Sequence, residues 1–311
     1  GAFLPSINAR PDYSEIQSHT HISLCIHAAT KSPGKYSMKK AFLQLHTAIF
    51  LAGFTGVLGR LITLNEGLLV WWRIFLTVVT LAIVFLFSRQ LRMPAAPTLA
   101  RIGAVGALVA LHWVFFYGSI KYSNVSISLV CFSAIGFFTA FFEPLIFRRR
   151  IDWLEVAFGL LAILGVYLIF HFDPQYKTGI ILGLTSAMLA ALFPIFNKKL
   201  LEETDPQSLT FFELSGGLLA LSLLLPFYVK AFPPDHLIPT RADFLWLLVL
   251  SWFCTVLAFN LSISSLKRIS PFTVNLSYNL EPIYGIFLAF VIYHENQYLS
   301  IGFYYGFALI M

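Results

Sequence analysis

The chain has 311 residues, of which 58% are hydrophobic and 12% are charged, and its formal net charge is +6. Soluble domains carry about 25% charged residues, so this composition excludes an ordinary water-soluble protein. The positive charge does not indicate nucleic-acid binding, because the longest basic run is Arg148-Arg149-Arg150 and cations are expected beside membrane spans. The cysteines form no CxxC pair, so neither a metal nor a cofactor is predicted. We expect an integral membrane protein whose surroundings are a lipid bilayer.

The N-terminal segment differs from the rest of the chain. Residues 1–37 contain no apolar span and no helical period. We expect a disordered tail or an upstream artefact there, because Met38-Lys39-Lys40 before an apolar run is typical of the natural start of an inner-membrane protein. At the other end, the last apolar stretch runs from residue 298 to Met311 and is too short for a full crossing, which predicts a truncated final helix.

Ten apolar stretches follow residue 40, separated by short polar hinges. Roughly twenty residues, each rising about 1.5 Å, are needed for a helix to cross about 30 Å of hydrocarbon. The predicted spans are 41–61, 67–88, 98–119, 124–147, 152–171, 179–201, 207–229, 243–265, 271–292 and 298–311. The sequence therefore predicts an all-α integral membrane protein with ten transmembrane helices in two sets of five.

Lysine and arginine are distributed unequally between the two sides that these spans define. Twelve lie on one side, namely Lys39, Lys40, Arg89, Arg92, Arg101, Arg148, Arg149, Arg150, Lys198, Lys199, Lys267 and Arg268. Five lie on the other, namely Arg60, Lys121, Lys177, Lys230 and Arg241. The positive-inside rule predicts that both termini are cytoplasmic, in a multi-pass protein of the inner (plasma) membrane.

The two sets of five spans resemble each other. At an offset of 146 residues Ile120-Lys121 lies over Leu266-Lys267, and at an offset of 140 Arg73 lies over Glu213. Because five is odd, a second copy must enter the membrane in the opposite sense. The sequence thus predicts two inverted five-helix repeats, residues 38–171 and 172–311. Inverted repeats are typical of secondary transporters, whose substrate site lies near the midplane between the halves.

Motifs in spans two and nine allow a family to be named. Span nine contains Leu280-Glu281-Pro282 and an apolar run to His294-Glu295, and span two contains Trp72-Arg73-Ile74-Phe75. With ten spans in two fives, residues 38–311 resemble the EamA family of the drug/metabolite transporter superfamily. Span four departs from the family pattern, since Arg148-Arg149-Arg150 replaces a closing glutamate. The resemblance implies export or exchange of small metabolites, often amino acids, by alternating access, and it does not fix the substrate.

Polar side chains inside the predicted spans are the candidates for transport, because ionisable groups in hydrocarbon are costly. Glu281 lies about 15 Å into span nine and can take up a proton or face a substrate cation. Arg73 must snorkel, form an ion pair or bind an anion such as a carboxylate. Each candidate has a structural alternative as an interhelical hydrogen-bond partner. The predicted substrate-binding or coupling residues are Glu281, Arg73, Tyr278, Asn279, His112, Asn260, Glu213 and Trp72, with protons as the coupling ion.

Proline and glycine mark candidate hinges and packing faces. Pro282 and Pro194 each remove a backbone donor and are expected to bend spans nine and six. Gly53, Gly56 and Gly59 recur every three residues and predict a smooth face for close packing or sliding of span one. Glu143, late in span four, is expected to pair at the interface with the neighbouring Arg148-Arg149-Arg150.

Three alternatives remain open. A sugar-phosphate or nucleotide-sugar exchanger is the nearest, but those substrates call for several cations in the cavity and only Arg73 can be placed there. A membrane-embedded enzyme would need clustered His, Asp or Cys at span ends. A channel would need polar faces through several spans, whereas polarity is concentrated in span nine. The sequence therefore favours a non-enzymatic exporter or exchanger of small organic metabolites.

Overall fold

The computed structural model describes residues 35–88, 91–172 and 174–310, and every regular element within these ranges is a helix. The chain forms two compact units, residues 1–40 and 41–311, and apart from the first six residues of the first helix everything described below belongs to the second. The predicted tail, residues 1–37, lies outside the described residues except for its last three, which are helical. Arg89, Met311 and the predicted hinge residue Asp173 also lie outside them.

The first set of spans forms six α-helices in the described chain. They are α1 (Lys35–Leu61), α2 (Glu66–Ser88), α3 (Ala96–Tyr122), α4 (Val125–Phe132), α5 (Ile135–Phe147) and α6 (Trp153–Phe172). Helices α4 and α5 are separated only by a turn at residues 133–134 and together make one apolar segment, Val125–Phe147. The Asn124 side chain accepts the backbone N–H of Ile127 and so caps the start of α4.

The second set forms seven α-helices, because two of its spans are interrupted. They are α7 (Lys177–Leu200), α8 (Pro206–Ala231), α9 (Arg241–Ser251), α10 (Ala258–Ser265), α11 (Pro271–Ser277), α12 (Glu281–Tyr293) and α13 (Ile301–Ile310). A π-helical turn, Trp252–Leu257, joins α9 to α10, and a 3₁₀ turn, Tyr278–Leu280, joins α11 to α12. Two further 3₁₀ turns, Pro174–Tyr176 and Glu295–Gln297, precede α7 and follow α12.

Eight helical segments of the described chain are long and apolar enough to cross a membrane. They correspond to predicted spans one to four and six to nine. The predicted spans five and ten correspond to two shorter apolar helices, Trp153–Ile169 and Ile301–Ile310. The all-helical membrane fold is confirmed, whereas the count of ten crossings stays a prediction.

Two of the predicted hinges contain a capping residue followed by proline, and a helix begins at each of them. Asp205 accepts the backbone N–H groups of Gln207 and Ser208 at 3.1 and 3.0 Å, and Pro206 occupies the first position of α8. Ser270 caps α11 in the same way, with a proline next to it. A capping side chain satisfies an N–H that no helical carbonyl can reach, and proline has no N–H to satisfy.

Two packing arrangements position the interior of the bundle. Helix α3 packs along both α7 and α8, and the interrupted spans α4–α5 and α11–α12 lie side by side, with α4 against α12 and α5 against α11. Since α4 begins where α12 ends, the two spans are antiparallel. The Asn275 amide donates to the Thr139 hydroxyl at 2.8 Å and links them near the middle.

Candidate functional site

A cavity of about 80 Å³ lies inside the bundle and draws its walls from both sets of spans. Its polar lining consists of Thr55, Arg73, His112, Ser262, Asn275, Tyr278 and Glu281, and its aromatic lining of Trp113, Phe116, Phe132, Phe193 and Phe259. Ligand pockets enclose roughly 300–1,000 Å³, so this conformation is too tight for a bound metabolite of ordinary size. The cavity must widen for a substrate to enter.

Arg73 is buried at the cavity wall, with 2% of its surface exposed. Its Nε donates to the Thr255 hydroxyl at 2.8 Å, and its two terminal nitrogens donate to the Tyr117 hydroxyl at 2.8 Å and the Cys254 carbonyl at 3.2 Å. The guanidinium carbon lies 3.9 Å from the centre of the Trp113 ring, in a cation–π arrangement. Snorkelling, one of the predicted alternatives for Arg73, is therefore not what the side chain does.

The π-helical turn between α9 and α10 supplies two of these three acceptors. A π turn widens the helix and shifts its backbone bonds, which lets a carbonyl point away from the ladder. Here the turn presents the Cys254 carbonyl and the Thr255 hydroxyl to Arg73, while Ser251 just before it donates to the Arg73 carbonyl at 3.0 Å. These contacts of the turn therefore hold the Arg73 side chain in position.

Glu281 belongs to the lining of the same cavity and is 4% exposed. No donor among the described residues hydrogen-bonds to its carboxylate, and no cation there lies within ion-pair distance of it. The charges of Arg73 and Glu281 interact across the cavity without direct contact. One carboxylate without a donor and one guanidinium thus face a common space.

The break in span nine explains why Glu281 is placed there. Pro282 lacks an N–H, so the helix cannot continue its bonding across this point, and the 3₁₀ turn Tyr278–Leu280 lies directly before it. The turn brings Tyr278 and Glu281 to the cavity wall together. The Tyr278 hydroxyl hydrogen-bonds with Ser262, another lining residue.

His112 also lines the cavity, and its ring is held in a fixed orientation. Its Nδ1 lies 3.1 Å from the Ser186 carbonyl and 2.8 Å from the Ser186 hydroxyl, which itself donates to the His112 carbonyl. A carbonyl only accepts, so this contact requires a hydrogen on Nδ1. The ring stacks on Phe132 with centroids 5.4 Å apart.

Four predicted site residues do not line this cavity. The Trp72 indole donates to the Leu237 carbonyl at 3.1 Å near a bundle end, and Asn260 faces a separate cleft with Arg92. Asn279 lies in the 3₁₀ turn, with its Oδ1 buried and unbonded within the described chain. Glu213 is fully buried and accepts from Asn197 instead. The structure thus gathers Arg73, His112, Tyr278 and Glu281 and leaves these four apart.

The predicted hinge and packing residues are placed differently from one another. Pro194 lines the cavity within an unbroken α7. The three glycines of α1 each approach another helix. A Cβ at Gly53 would lie 2.6 Å from the Tyr284 Cβ, one at Gly56 3.0 Å from Val125, and one at Gly59 2.2 Å from Tyr117. These distances indicate close packing of α1 against its neighbours.

The bundle is tied at one end by Glu295, which has a buried carboxylate. It accepts the backbone N–H groups of Val125 and Ser126 at 3.0 and 2.9 Å and the Ser126 hydroxyl at 2.6 Å. It also forms an ion pair with Arg60, whose guanidinium lies 4.4 Å from the Tyr293 ring centre. Glu295 thereby caps α4 and joins it to α1 and α12, and we call this region the Glu295 end.

The opposite end, which we call the Glu143 end, contains a counterpart. The Glu143 carboxylate accepts the backbone N–H of Phe272 at 2.7 Å and so caps α11. Within the described residues, no direct ion pair joins Glu143 to Arg148-Arg149-Arg150, although the charge of Arg149 acts on its carboxyl group. Nearby, hydrogen bonds from Thr98 and Arg101 lower the pKa of the exposed Glu203 carboxyl.

Several residues of the site carry no signal in the sequence. Thr255 and Cys254 contact Arg73 through a π turn that contains neither proline nor glycine. Tyr117 and Trp113 belong to an aromatic-rich helix in which lipid-facing and buried rings look alike. The close crossing of α3 and α8 was not predicted either. The residues at the contact are glycines, namely Gly103, Gly106, Gly216 and Gly217.

Comparisons with known proteins agree with this architecture. The sequence profile of the EamA-like transporter family matches residues 39–171 and again residues 177–310. An uncharacterized transporter from Archaeoglobus fulgidus is 26% identical over 156 residues, which are 50% of this chain and 55% of that protein. The chain thus spans about half the length of the curated relative it matches.

A protein solved by crystallography has the same fold. It superposes with a TM-score of 0.63 at 18% identity, over 88% of this chain and 94% of its own. At this identity the likeness shows the fold alone. The two family matches together cover most of the sequence. This membrane protein therefore belongs to the EamA-like transporter family.

Proposed function

We propose that this transporter moves a small amphipathic organic molecule bearing both an ammonium and a carboxylate group, such as an amino acid, by alternating access. The observation that supports this proposal is that Arg73 and Glu281 line one cavity without forming a direct ion pair. A zwitterion of suitable length places its carboxylate at Arg73 and its ammonium at Glu281. The aromatic walls then receive its apolar part.

The hydrogen-bond capacity of the two charged residues fits such a ligand. A guanidinium has five N–H groups, and three of those on Arg73 are used by protein acceptors. The remaining two are available to a carboxylate. No group of the described chain donates a hydrogen bond to the Glu281 carboxylate, so a ligand ammonium supplies the missing donor. Arg73 is the single cation in the cavity lining of the described residues, which does not favour a sugar phosphate.

The proposed architecture follows the sequence analysis. Residues 38–171 and 172–311 form two inverted five-helix repeats, with α6 and α13 completing ten crossings of the plasma membrane and both termini in the cytoplasm. The proposal is supported by the two family matches and by the antiparallel pairing of α4–α5 with α11–α12. Alternating access then means that the Glu295 end and the Glu143 end open in turn. Protons are the proposed coupling ion.

A ligand screen followed by a flux measurement tests this function. Purified protein is heated with individual amino acids, with their amine-only and acid-only analogues, and with sugar phosphates. A zwitterion is expected to raise the apparent melting temperature more than either analogue, because it alone engages both charges. Proteoliposomes loaded with the best ligand should then release it. A sugar phosphate that stabilises the protein while no zwitterion does would overturn the proposal.

A further inference from the structure

Glu213 on α8 and Asn197 on α7 form an isolated polar pair in the interior. Both residues are fully buried, with 0% of their surface exposed. The Asn197 Nδ2 lies 3.0 and 3.1 Å from the two carboxylate oxygens of Glu213. Neither residue belongs to the lining of the central cavity. The pair is therefore a second buried site, distinct from the one described above.

No cation of the described chain compensates Glu213. On the helices packed against it, Glu66 on α2 accepts from Tyr228, and Arg101 and Lys121 on α3 bond to Glu203 and the Ile62 carbonyl. Lys177 is the first residue of α7, at the opposite end of that helix from Asn197. Arg73 on α2 bonds to Thr255, Tyr117 and Cys254, His112 on α3 bonds to Ser186, and Lys198 and Lys199 on α7 bond to the Leu266 and Ile146 carbonyls. The neighbouring helix α10 carries no charged residue. An ionised carboxylate here would be buried without a counter-charge, which is strongly unfavourable.

Counting donors and acceptors shows what the pair lacks. The Asn197 Oδ1 is buried and has no hydrogen-bond partner within the described chain. With an ionised carboxylate, one Nδ2 group faces two acceptors while Oδ1 stays unsatisfied. With the amide nitrogen and oxygen exchanged, the amide oxygen lies 3.0 and 3.1 Å from the two carboxyl oxygens, so three acceptors face one another unless one of them carries a proton. A protonated Glu213 then donates its O–H to the Asn197 amide oxygen.

The crossing of α3 and α8 encloses this pair. A Cβ at Gly106 would lie 1.8 Å from the Glu213 carbonyl oxygen, so the two backbones are in contact at the level of the acid. Glycine is the residue that permits this approach, and the contact excludes water from the side of α3. Separation of the two helices would expose the carboxyl group.

We propose that Glu213 and Asn197 form a proton-binding site, occupied in this conformation and emptied when α3 and α8 separate. A proton from water binds one carboxylate oxygen, and on opening it returns to water, leaving the carboxylate hydrated. A role for this exchange in driving flux rests on the proposed function, whereas the protonation itself does not. The site therefore lies apart from the central cavity in which substrate is proposed to bind.

Infrared spectroscopy of the purified, reconstituted protein tests the site without any substrate. Spectra of wild type minus Glu213→Gln, recorded from acidic to alkaline pH, should contain the C=O band of a buried protonated carboxyl at neutral pH. The band should vanish at alkaline pH. The matched variants Glu281→Gln and Glu202→Gln, the second an exposed glutamate, should retain it. Asn197→Ala should shift the band, because the acceptor of the O–H is removed.

Two results would overturn the proposal. One is a difference spectrum without a protonated carboxyl at any pH, since Glu213 would then be ionised throughout. The other is a band that never changes with pH, since the acid would then exchange no proton. If Glu213→Gln fails to fold, the spectrum of wild type minus Asn197→Ala is measured instead. A shifted C=O band then supports a protonated Glu213, and the absence of any shift contradicts it. Because no transport is measured, failure to find a zwitterionic substrate would leave this test intact.

Discussion

The Glu143 carboxylate accepts the backbone N–H of Phe272 at 2.7 Å, joining the end of α5 to the start of α11 across 129 residues of sequence. Glu295 makes the reciprocal link at the opposite end, from the end of α12 to the start of α4. Each of the two antiparallel spans therefore carries the cap of the other. In the proposed alternating-access cycle we expect these two links to break in turn.

The two caps are expected to differ in strength. Glu295→Gln removes the ion pair with Arg60 and weakens three accepted hydrogen bonds, so it should lower the free energy of unfolding by about 2–3 kcal/mol. Glu143→Gln weakens one accepted bond and should cost about 1 kcal/mol. Thermal unfolding in detergent compares the variants, with Glu202→Gln as an exposed control. Equal losses in the first two variants would contradict the assigned asymmetry.

The crossing of α3 and α8 provides a test of packing with an internal control. A methyl group at Gly106 would meet the Glu213 carbonyl at 1.8 Å, whereas one at Gly103 would have no neighbour nearer than 3.9 Å. Gly106→Ala should therefore destabilise the protein by about 3 kcal/mol or more, since backbone must move to admit it. Gly103→Ala should be neutral or stabilising by up to about 1 kcal/mol through helix propensity.

The unfolding midpoints of these two alanine variants in one detergent decide the point. A Gly106→Ala protein as stable as Gly103→Ala would mean that α3 and α8 are farther apart than described. The comparison also bears on the Glu213–Asn197 pair, because the same contact encloses it. Loss of stability in Gly106→Ala alone is the expected result.

Arg73 should not tolerate a conservative replacement. Arg73→Lys keeps the charge but cannot reach Thr255, Tyr117 and Cys254 together, and it loses the planar stacking on Trp113. Flux of the best ligand should fall at least about tenfold, which corresponds to about 1.4 kcal/mol. Thr255→Val, which removes the acceptor of Nε and the hydroxyl's own bond to the Leu250 carbonyl, should lower flux less. An active Arg73→Lys protein would show that charge alone suffices.

Part of the site follows from the sequence, because polar residues inside apolar spans have few reasons to be there. Glu281, Arg73, His112 and Tyr278 were identified on that basis, and all four line the cavity. Depth along a span can be counted from helical rise, but the direction in which a side chain points cannot. Glu213 lies within a predicted span and yet faces Asn197 rather than the cavity.

The acceptors of Arg73 show a different limit. Thr255 and the Cys254 carbonyl reach it through a π turn, which depends on packing between helices and not on a residue type. By contrast, the break before Pro282 follows from the covalent structure of proline. The caps at Asp205 and Ser270 are equally local, and they can be predicted from the residue types. Local chemistry is thus predictable, whereas long-range register is not.

Exchange of the best zwitterionic ligand across proteoliposome membranes, compared between wild type, Glu281→Gln and Glu202→Gln, tests the role of the central cavity most directly. Glutamine at position 281 is close in size to glutamate but cannot hold an ammonium by charge. Flux should therefore be lost in Glu281→Gln and preserved in Glu202→Gln, with both proteins equally folded. Wild-type flux in Glu281→Gln would contradict the assignment of the Arg73 and Glu281 cavity as the substrate site.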